Sequence, residues 1–383
     1  MKKQLLIFIA LLIGLPTQAI SIKYGPYLQN LDTNSVTITW ITDSTSIGWV
    51  ELAEDGSDSF YSTVRQQYHD TQDGIKNTST IHSVTLNDLS PNTVYRYRVY
   101  SQAVLSHEGN RVMYGDYVAT NVYSREPLRF KTNNHEKETM RFAMINDIHG
   151  DNQRMERLIN HSSLMDPDMY IFNGDMASSF ENEAQIFDDF AQTAITMFAS
   201  EIPFYYVRGN HETRGTYASH FHQYFTTGHD KLYYTFRQGP VFFVMLDSGE
   251  DKPDSDIEYY GLVDYDNYRS EQAQWLSHIV TSEEYINAPI KVIVSHIPPT
   301  GDWHGNIEVK NKFMEVLKLS APDLMLCGHE HELIYHEANE SNPFPILINS
   351  HDNVVVGKVS ATSLIIDIFD VNGTIIDTII LNK

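Results

Sequence analysis

Six short apolar runs recur between residues 141 and 327: RFAMIN, MYIFN, PFYYV, VFFVML, KVIVS and DLMLC. Five of them stop at residues that bind metal. RFAMIN leads into Asp147-Ile148-His149, MYIFN into Gly174-Asp175, PFYYV into Arg208-Gly209-Asn210-His211-Glu212, KVIVS into His296, and DLMLC into Gly328-His329-Glu330-His331. Apolar runs of this length bounded by turn residues read as buried strands, and in open α/β sheets ligands gather at the carboxyl ends of strands. Five strand ends are therefore expected to converge on one crevice.

Helical patterns separate the runs. Phe187, Ala191, Ala194, Ile195 and Phe198 share one face of a 3.6-residue helix, and helices are expected over 269–285 and 309–319. Such alternation predicts a layered α/β domain over residues 140–383. The tail runs PILINS, VVVGKVS, SLIIDIF and TIIDTIIL revert to strands, expected to form a second sheet on the first. The outcome is two packed mixed sheets flanked by helices.

The preceding region has a different grammar. SVTITWIT turns Val36, Ile38 and Trp40 to one side, and VYRYRVY repeats aromatic and basic residues with period two, so residues 20–132 read as an antiparallel β-sandwich. In DLSPNTVYRYRV, Tyr95 and Tyr97 follow a Pro91-Asn92 turn, similar to the tyrosine corner of immunoglobulin-like and fibronectin type III sandwiches. The polar run NNHEKET, 133–139, reads as the linker between the two domains.

Residues 1–19 have a basic start, an apolar block from Leu5 to Leu15 and a small residue at Ala19, the layout of a secretory signal. The block is too short to span a bilayer comfortably, and no cysteine follows it to carry a lipid anchor. A periplasmic or secreted protein is expected. The chain's single cysteine, Cys327, forms no internal disulfide; at the end of an apolar run it is expected to act as a small hydrophobe. A formal net charge of −23 disfavours nucleic-acid backbones and anionic membrane surfaces as partners. A cation-rich pocket inside an acidic protein remains compatible with that charge.

Two aspartates, one asparagine and four or five histidines exceed what one tetrahedral ion needs, but they supply two ions if one carboxylate bridges them. Oxygen and imidazole donors without thiolate suit Fe, Zn, Mn or Co. Gly174, Gly209 and Gly328 stand where the chain must turn sharply toward the ions, and positive φ is expected there.

The order D-x-H, G-D, G-N-H-E, lone H, G-H-x-H resembles that of the calcineurin-like metallophosphoesterase superfamily, from Met140 to about Asp370. With the opening phrase YGPYLQNLDTNSVTITW, the chain resembles a bacterial relative of the purple acid phosphatases, whose fibronectin-like first domain begins similarly. The resemblance implies a phosphatase in which Asp147, His149 and His331 hold one ion, Asn210, His296 and His329 hold the other, and Asp175 bridges them. It leaves His211 uncoordinated beside the phosphate. Two positions depart from the purple enzymes: Ser178 stands where they have tyrosine, and His149 where they usually have glycine. A purple Fe(III) centre is therefore not expected; Mn, Zn or a mixed Fe pair is.

The mechanism implied is attack by a metal-bridging hydroxide on a phosphate monoester, with His211 as imidazolium stabilising the oxyanion or protonating the leaving oxygen. Glu212 would orient His211 or a ligand. Arg208 and His304, the latter beside Trp303, are candidates for substrate contact. Diester or nucleotide hydrolysis on the same site is the alternative, and a non-catalytic surface or glycan-binding protein is a third reading. A zinc protease lacks its H-E-x-x-H run.

Overall fold

The computed structural model describes residues 19–383, so the signal segment expected over 1–19 lies, apart from Ala19, outside the described residues. The first domain is antiparallel throughout. Its organising element is the long strand Val36–Glu54, whose first half pairs with Ile22–Gln29 and Ser79–Leu86 and whose second half pairs with Val94–Glu108 and Gln66–His69. The ladder to Ser79–Leu86 shifts register between Ile41 and Ser46. A seven-stranded sheet results, with a core of Leu28, Val36, Ile38, Trp40, Val50, Tyr97 and Val99. Period-two patterning thus delivers the expected inward residues, and the Tyr95 hydroxyl accepts a hydrogen bond from Ser90 N at 2.8 Å, closing a corner five residues upstream.

The second domain contains two six-stranded mixed sheets. In the first, Phe204–Val207, Met169–Asn173 and Thr139–Ile145 run parallel, and Asn353–Ser360, Ser363–Asp370 and Ile375–Asn382 extend it antiparallel. In the second, Val241–Leu246, Ile290–Ser295, Leu324–Cys327 and Ile346–Ile348 are parallel, with Tyr234–Gln238 and Ile334–His336 as antiparallel edges. The tail therefore does not form a sheet of its own. Its first strand joins one sheet and its last three join the other, because Asn353–Ser360 takes the free edge of Thr139–Ile145, pairing from Thr139↔Ser360 onward.

Phe142, Met144 and Ile171 from one sheet pack with Phe243, Val292 and Leu326 from the other in a single buried cluster. Such runs are apolar on both faces because helices cover the outer sides. The helical segment 183–199 lays Phe187, Phe190, Ala194 and Phe198 on the first sheet, with two π-helical turns, Phe187–Ala191 and Ile195–Ala199, within it. The second sheet is covered by Tyr265–Ile279 and by a helical segment over 304–317. Both helices differ from expectation at each end, the first starting at Tyr265 and the second stopping at Leu317. The first helix ends at Ile279, where Ser282 starts a separate short helix by accepting from Tyr285 N through Oγ; the other begins five residues early, at His304.

The YGPYLQ phrase joins the domains. Tyr27 and Ile41 belong to the same core as Phe187, Phe204 and Phe225 of the second domain. Tyr24 stacks on Phe187 with centroids 3.9 Å apart, and the Tyr27 hydroxyl donates to Tyr224 O at 2.8 Å. The Tyr205 and Tyr97 hydroxyls donate across the same junction, to Leu31 O and Ser200 O.

Candidate metal centre

The strand ends of the two sheets meet. Asp147, Asp175 and Asn210 leave the first sheet, while His296, His329 and His331 leave the second. Five of the candidate ligands, Asp147, His149, Asp175, His329 and His331, have φ between +51° and +75°. For residues with a side chain this left-handed conformation is uncommon and costs free energy. Strain at this bend is thus borne largely by the candidate ligands. Of the three glycines only Gly174 has positive φ. Gly209 and Gly328 are required for space: a Cβ would lie 2.2 Å from Asp175 Oδ1 at the first and 2.8 Å from Asp147 Oδ2 at the second.

Two groups of donor atoms form, each within 4.8 Å: Asp147, His149 and His331, and Asp175, His296 and His329. Asn210 Oδ1 joins the second group, 3.1 Å from His329 Nδ1. His149 Nε2 is 3.3 Å from His331 Nε2 and 3.9 Å from both Asp147 Oδ1 and Asp175 Oδ2, so the groups adjoin through His149 and Asp175.

These residues fit metal ions. Asp147 Oδ1 is buried and accepts no hydrogen bond, and buried His296 Nε2 has no partner either. His296 Nδ1 donates to Asn173 O at 2.7 Å, leaving Nε2 turned toward Asp175 Oδ2 at 3.1 Å without the alignment of a hydrogen bond. Unpaired buried polar atoms are costly, and a cation taking the place of the His296 proton would satisfy both. The electrostatics agree. Burial opposes charge on His296, yet Asp175 and Asp147 raise it to about 10. Burial also holds His149 and His329 down to about 4, the free-base form that a ligand needs.

Glu212, expected to orient either His211 or a ligand, has its contacts with the candidate ligand Asp175. Its buried carboxylate accepts from the backbone N–H groups of Asp175, Met176, Ala177 and Gly209 and from the Tyr206 hydroxyl. It therefore fixes the loop that carries Asp175, rather than the His211 ring. Burial is the main cause raising its pKa.

His211 Nδ1 donates to Ser178 O at 2.9 Å. Its Nε2 faces Arg214 Nη1 at 3.3 Å and Asp175 Oδ2 at 3.9 Å. A guanidinium only donates, so Nε2 is the acceptor and the ring is the Nδ1–H tautomer. His211 also lies within reach of His149 and Asp175 as a third possible donor group. Arg214 escaped sequence reasoning. It is held by buried Glu250, with Nε at 2.9 Å from Oε1 and Nη2 at 2.9 Å from Oε2, and Glu250 also accepts from Thr213 and Tyr259. Its signal was the three-residue spacing from His211, one turn of the helix His211–Thr213. Asn146 was missed as well; its Nδ2 donates to Asp147 Oδ2 at 2.6 Å.

Arg208 and His304 are engaged elsewhere. Arg208 Nη2 lies 2.8 Å from Oδ2 of buried Asp247, and its guanidinium sits over the Tyr265 ring. His304 Nε2 lies 2.8 Å from Asp266 Oδ1, on the helix covering the second sheet. Cys327 is fully buried, and burial pushes its thiol pKa up.

Residues 140–333 match the Calcineurin-like phosphoesterase family, and residues 26–112 match the Purple acid Phosphatase, N-terminal domain, family. No curated protein matches the sequence. Among solved structures, the chain is similar to the purple acid phosphatase PPD1 of yellow lupin (Lupinus luteus) seeds, with 14% identity and a TM-score of 0.65 over 95% of this chain and 74% of that one. GAP50, the anchor in the inner membrane complex of Plasmodium, matches at 14% identity and a TM-score of 0.45, over 64% of this chain and 89% of its own. At such identities the lupin enzyme attests a shared fold. With strand ends of two facing sheets presenting these donors, and half of its length matched, the chain belongs to the calcineurin-like phosphoesterase family and carries a purple acid phosphatase N-terminal domain.

Proposed function

We propose that this protein is a dinuclear-metal hydrolase of phosphate monoesters that acts outside the cytoplasm. Asp147, His149 and His331 would hold one ion, Asn210, His296 and His329 the second, with Asp175 shared. The supporting observation is the pair of adjoining donor groups around unpartnered Asp147 Oδ1 and His296 Nε2. Oxygen and imidazole donors favour Mn, Zn or a mixed Fe pair. When bound, such ions supply Lewis acidity toward phosphoryl oxygens and a water of lowered pKa.

The chain's own residues contribute binding and proton movement. Arg214, aimed by Glu250 and Asp251, offers its Nη1 donor to a phosphoryl oxygen. Engaging substrate draws that donor off His211 Nε2, which is then free to take up a proton and pass it to the leaving oxygen. Ser178 O keeps the ring in place through Nδ1 throughout. A monoester dianion has more terminal oxygen charge to satisfy than a diester, and Arg214 and His211 are the donors that favour it.

The test is metal analysis of protein purified without added metal, followed by turnover of a phenyl monoester and a phenyl diester of phosphate. About two ions per chain and faster monoester turnover are expected. Faster diester turnover would reverse the substrate assignment, and full activity without metal would remove the centre from the reaction.

A further inference from the structure

The VYRYRVY run of the first domain takes no part in the metal centre. Along Val94–Glu108, Tyr97 and Val99 enter the core, so alternation turns Arg96, Arg98 and Tyr100 to the opposite face. There Trp49 stacks on Tyr100, with centroids 5.0 Å apart and planes 4° from parallel. The Arg98 guanidinium lies 4.3 Å from the Tyr100 centroid and 5.2 Å from that of Tyr123, and Tyr123 lies 4.8 Å from Tyr61. The result is a continuous ladder of rings with one guanidinium in the middle. Tyr61, Tyr117 and Tyr123 are 53%, 63% and 68% exposed.

Two clefts meet at Tyr123 and Ser124. One, of about 680 Å³, is lined by Ser57, Ser59, Tyr61 and Arg125; the other, of about 430 Å³, by Arg98, Tyr100, Tyr117 and Asn121. Arg98 carries the argument. It is only 7% exposed, and its Nε donates to Thr120 O at 2.9 Å. Its terminal nitrogens have no protein acceptor, and among the described residues it makes no ion pair, although Glu51 is its cross-strand neighbour. A nearly buried guanidinium whose terminal nitrogens meet no protein acceptor is costly, and the charge of Glu51 across the strand and stacking between rings offset only part of that. An acidic group entering the cleft completes the site.

We propose that this face binds an oligosaccharide carrying spaced uronic acid groups. Sugar rings lie against the tyrosine faces, their hydroxyls meet the serine and asparagine lining, and one carboxylate meets Arg98. Exposed ring faces beside hydroxyl and amide groups match the mixed apolar and polar surface of a sugar. The net charge of −23 opposes a densely charged polyanion, whereas an isolated acid group matches a single arginine.

Titration of the full chain with glucuronoxylan oligosaccharides, following tryptophan fluorescence and calorimetry, tests the assignment. Saturable binding is expected, with weaker binding of the unsubstituted xylo-oligosaccharides. Because Tyr61 and Tyr123 are exposed, the double variant Tyr61→Ala/Tyr123→Ala should fold, keep its phosphoester turnover and bind about tenfold more weakly. Absence of binding, equal affinity for the neutral oligosaccharides, or unaltered binding by the double variant would each overturn the proposal. So would capture by anionic lipid vesicles with no saccharide binding.

Discussion

Asp175 occupies a left-handed backbone position with φ of +54°, accepts from His211 N through Oδ1, and turns Oδ2 toward His296, His149 and His211. One carboxylate thus touches both donor groups. Asp175→Asn should lose metal and turnover together, whereas His211→Asn should keep its metal and lose turnover by about 10²–10⁴-fold; metal analysis beside kinetics separates the two. Metal uptake should also release protons. Burial opposes charge on His296, but Asp175 and Asp147 raise it to about 10, so at pH 7 it holds a proton that a metal must displace. Burial keeps His149 and His329 near about 4, so they are already free bases. Release of about one proton from His296 is expected at pH 7, with a fraction more from His331, whose pKa is raised by the Asp147 carboxylate 3.3 Å from its Nε2. The release fades as pH rises through about 10 and grows as pH falls toward about 4. Calorimetry in buffers of different ionisation enthalpy counts it, and zero release at pH 7 would contradict the coupling. Most of these ligands were legible as residue types at strand ends. Arg214 was not, because an arginine in a turn reads as a surface group until Glu250 is seen beneath it.

At the scale of elements, the centre depends on how closely strand exits approach one another. Gly209 has no left-handed backbone angle, but a Cβ there would meet Asp175 Oδ1 at 2.2 Å and Asp175 N at 2.5 Å. Gly209→Ala is therefore expected to displace the Asp175 loop, empty the centre and lower stability by about 1–3 kcal/mol, a typical cost of overpacking. Metal content and a denaturant melt check it; retained metal would mean that the loop gives way freely. Strands were the most legible elements, since all six apolar runs pair in the two sheets. Helix boundaries were less so. The segment over 304–317 starts early because Trp303 and His304 precede its apolar face, and the helix ending at Ile279 stops before the apolar pattern does.

For the whole molecule, the aromatic junction packs the two sequence domains against each other through a shared core. Tyr27 is buried, its ring lies near Phe187, Phe204 and Phe225, and its hydroxyl donates to Tyr224 O. Tyr27→Ala should cost about 3–5 kcal/mol and divide a single calorimetric transition into two; an unaltered single transition would show that the remaining junction suffices. The run 133–139, read from its polarity as the linker, is anchored at both ends: Asn133 is tied to Asp32 and Leu31 of the first domain, and Thr139 pairs in a sheet of the second. By itself the sequence determined the strands, the layered class and the ligand types, because periodicity and strand-end chemistry are local. Only the tertiary structure decided that the candidate ligands come from two facing sheets, that the tail divides between those sheets, that Glu212 braces the Asp175 loop and that Glu250 holds Arg214 beside His211. Those outcomes depend on which strand edges remain free and which polar groups are buried together, and both are set by residues far apart in the chain.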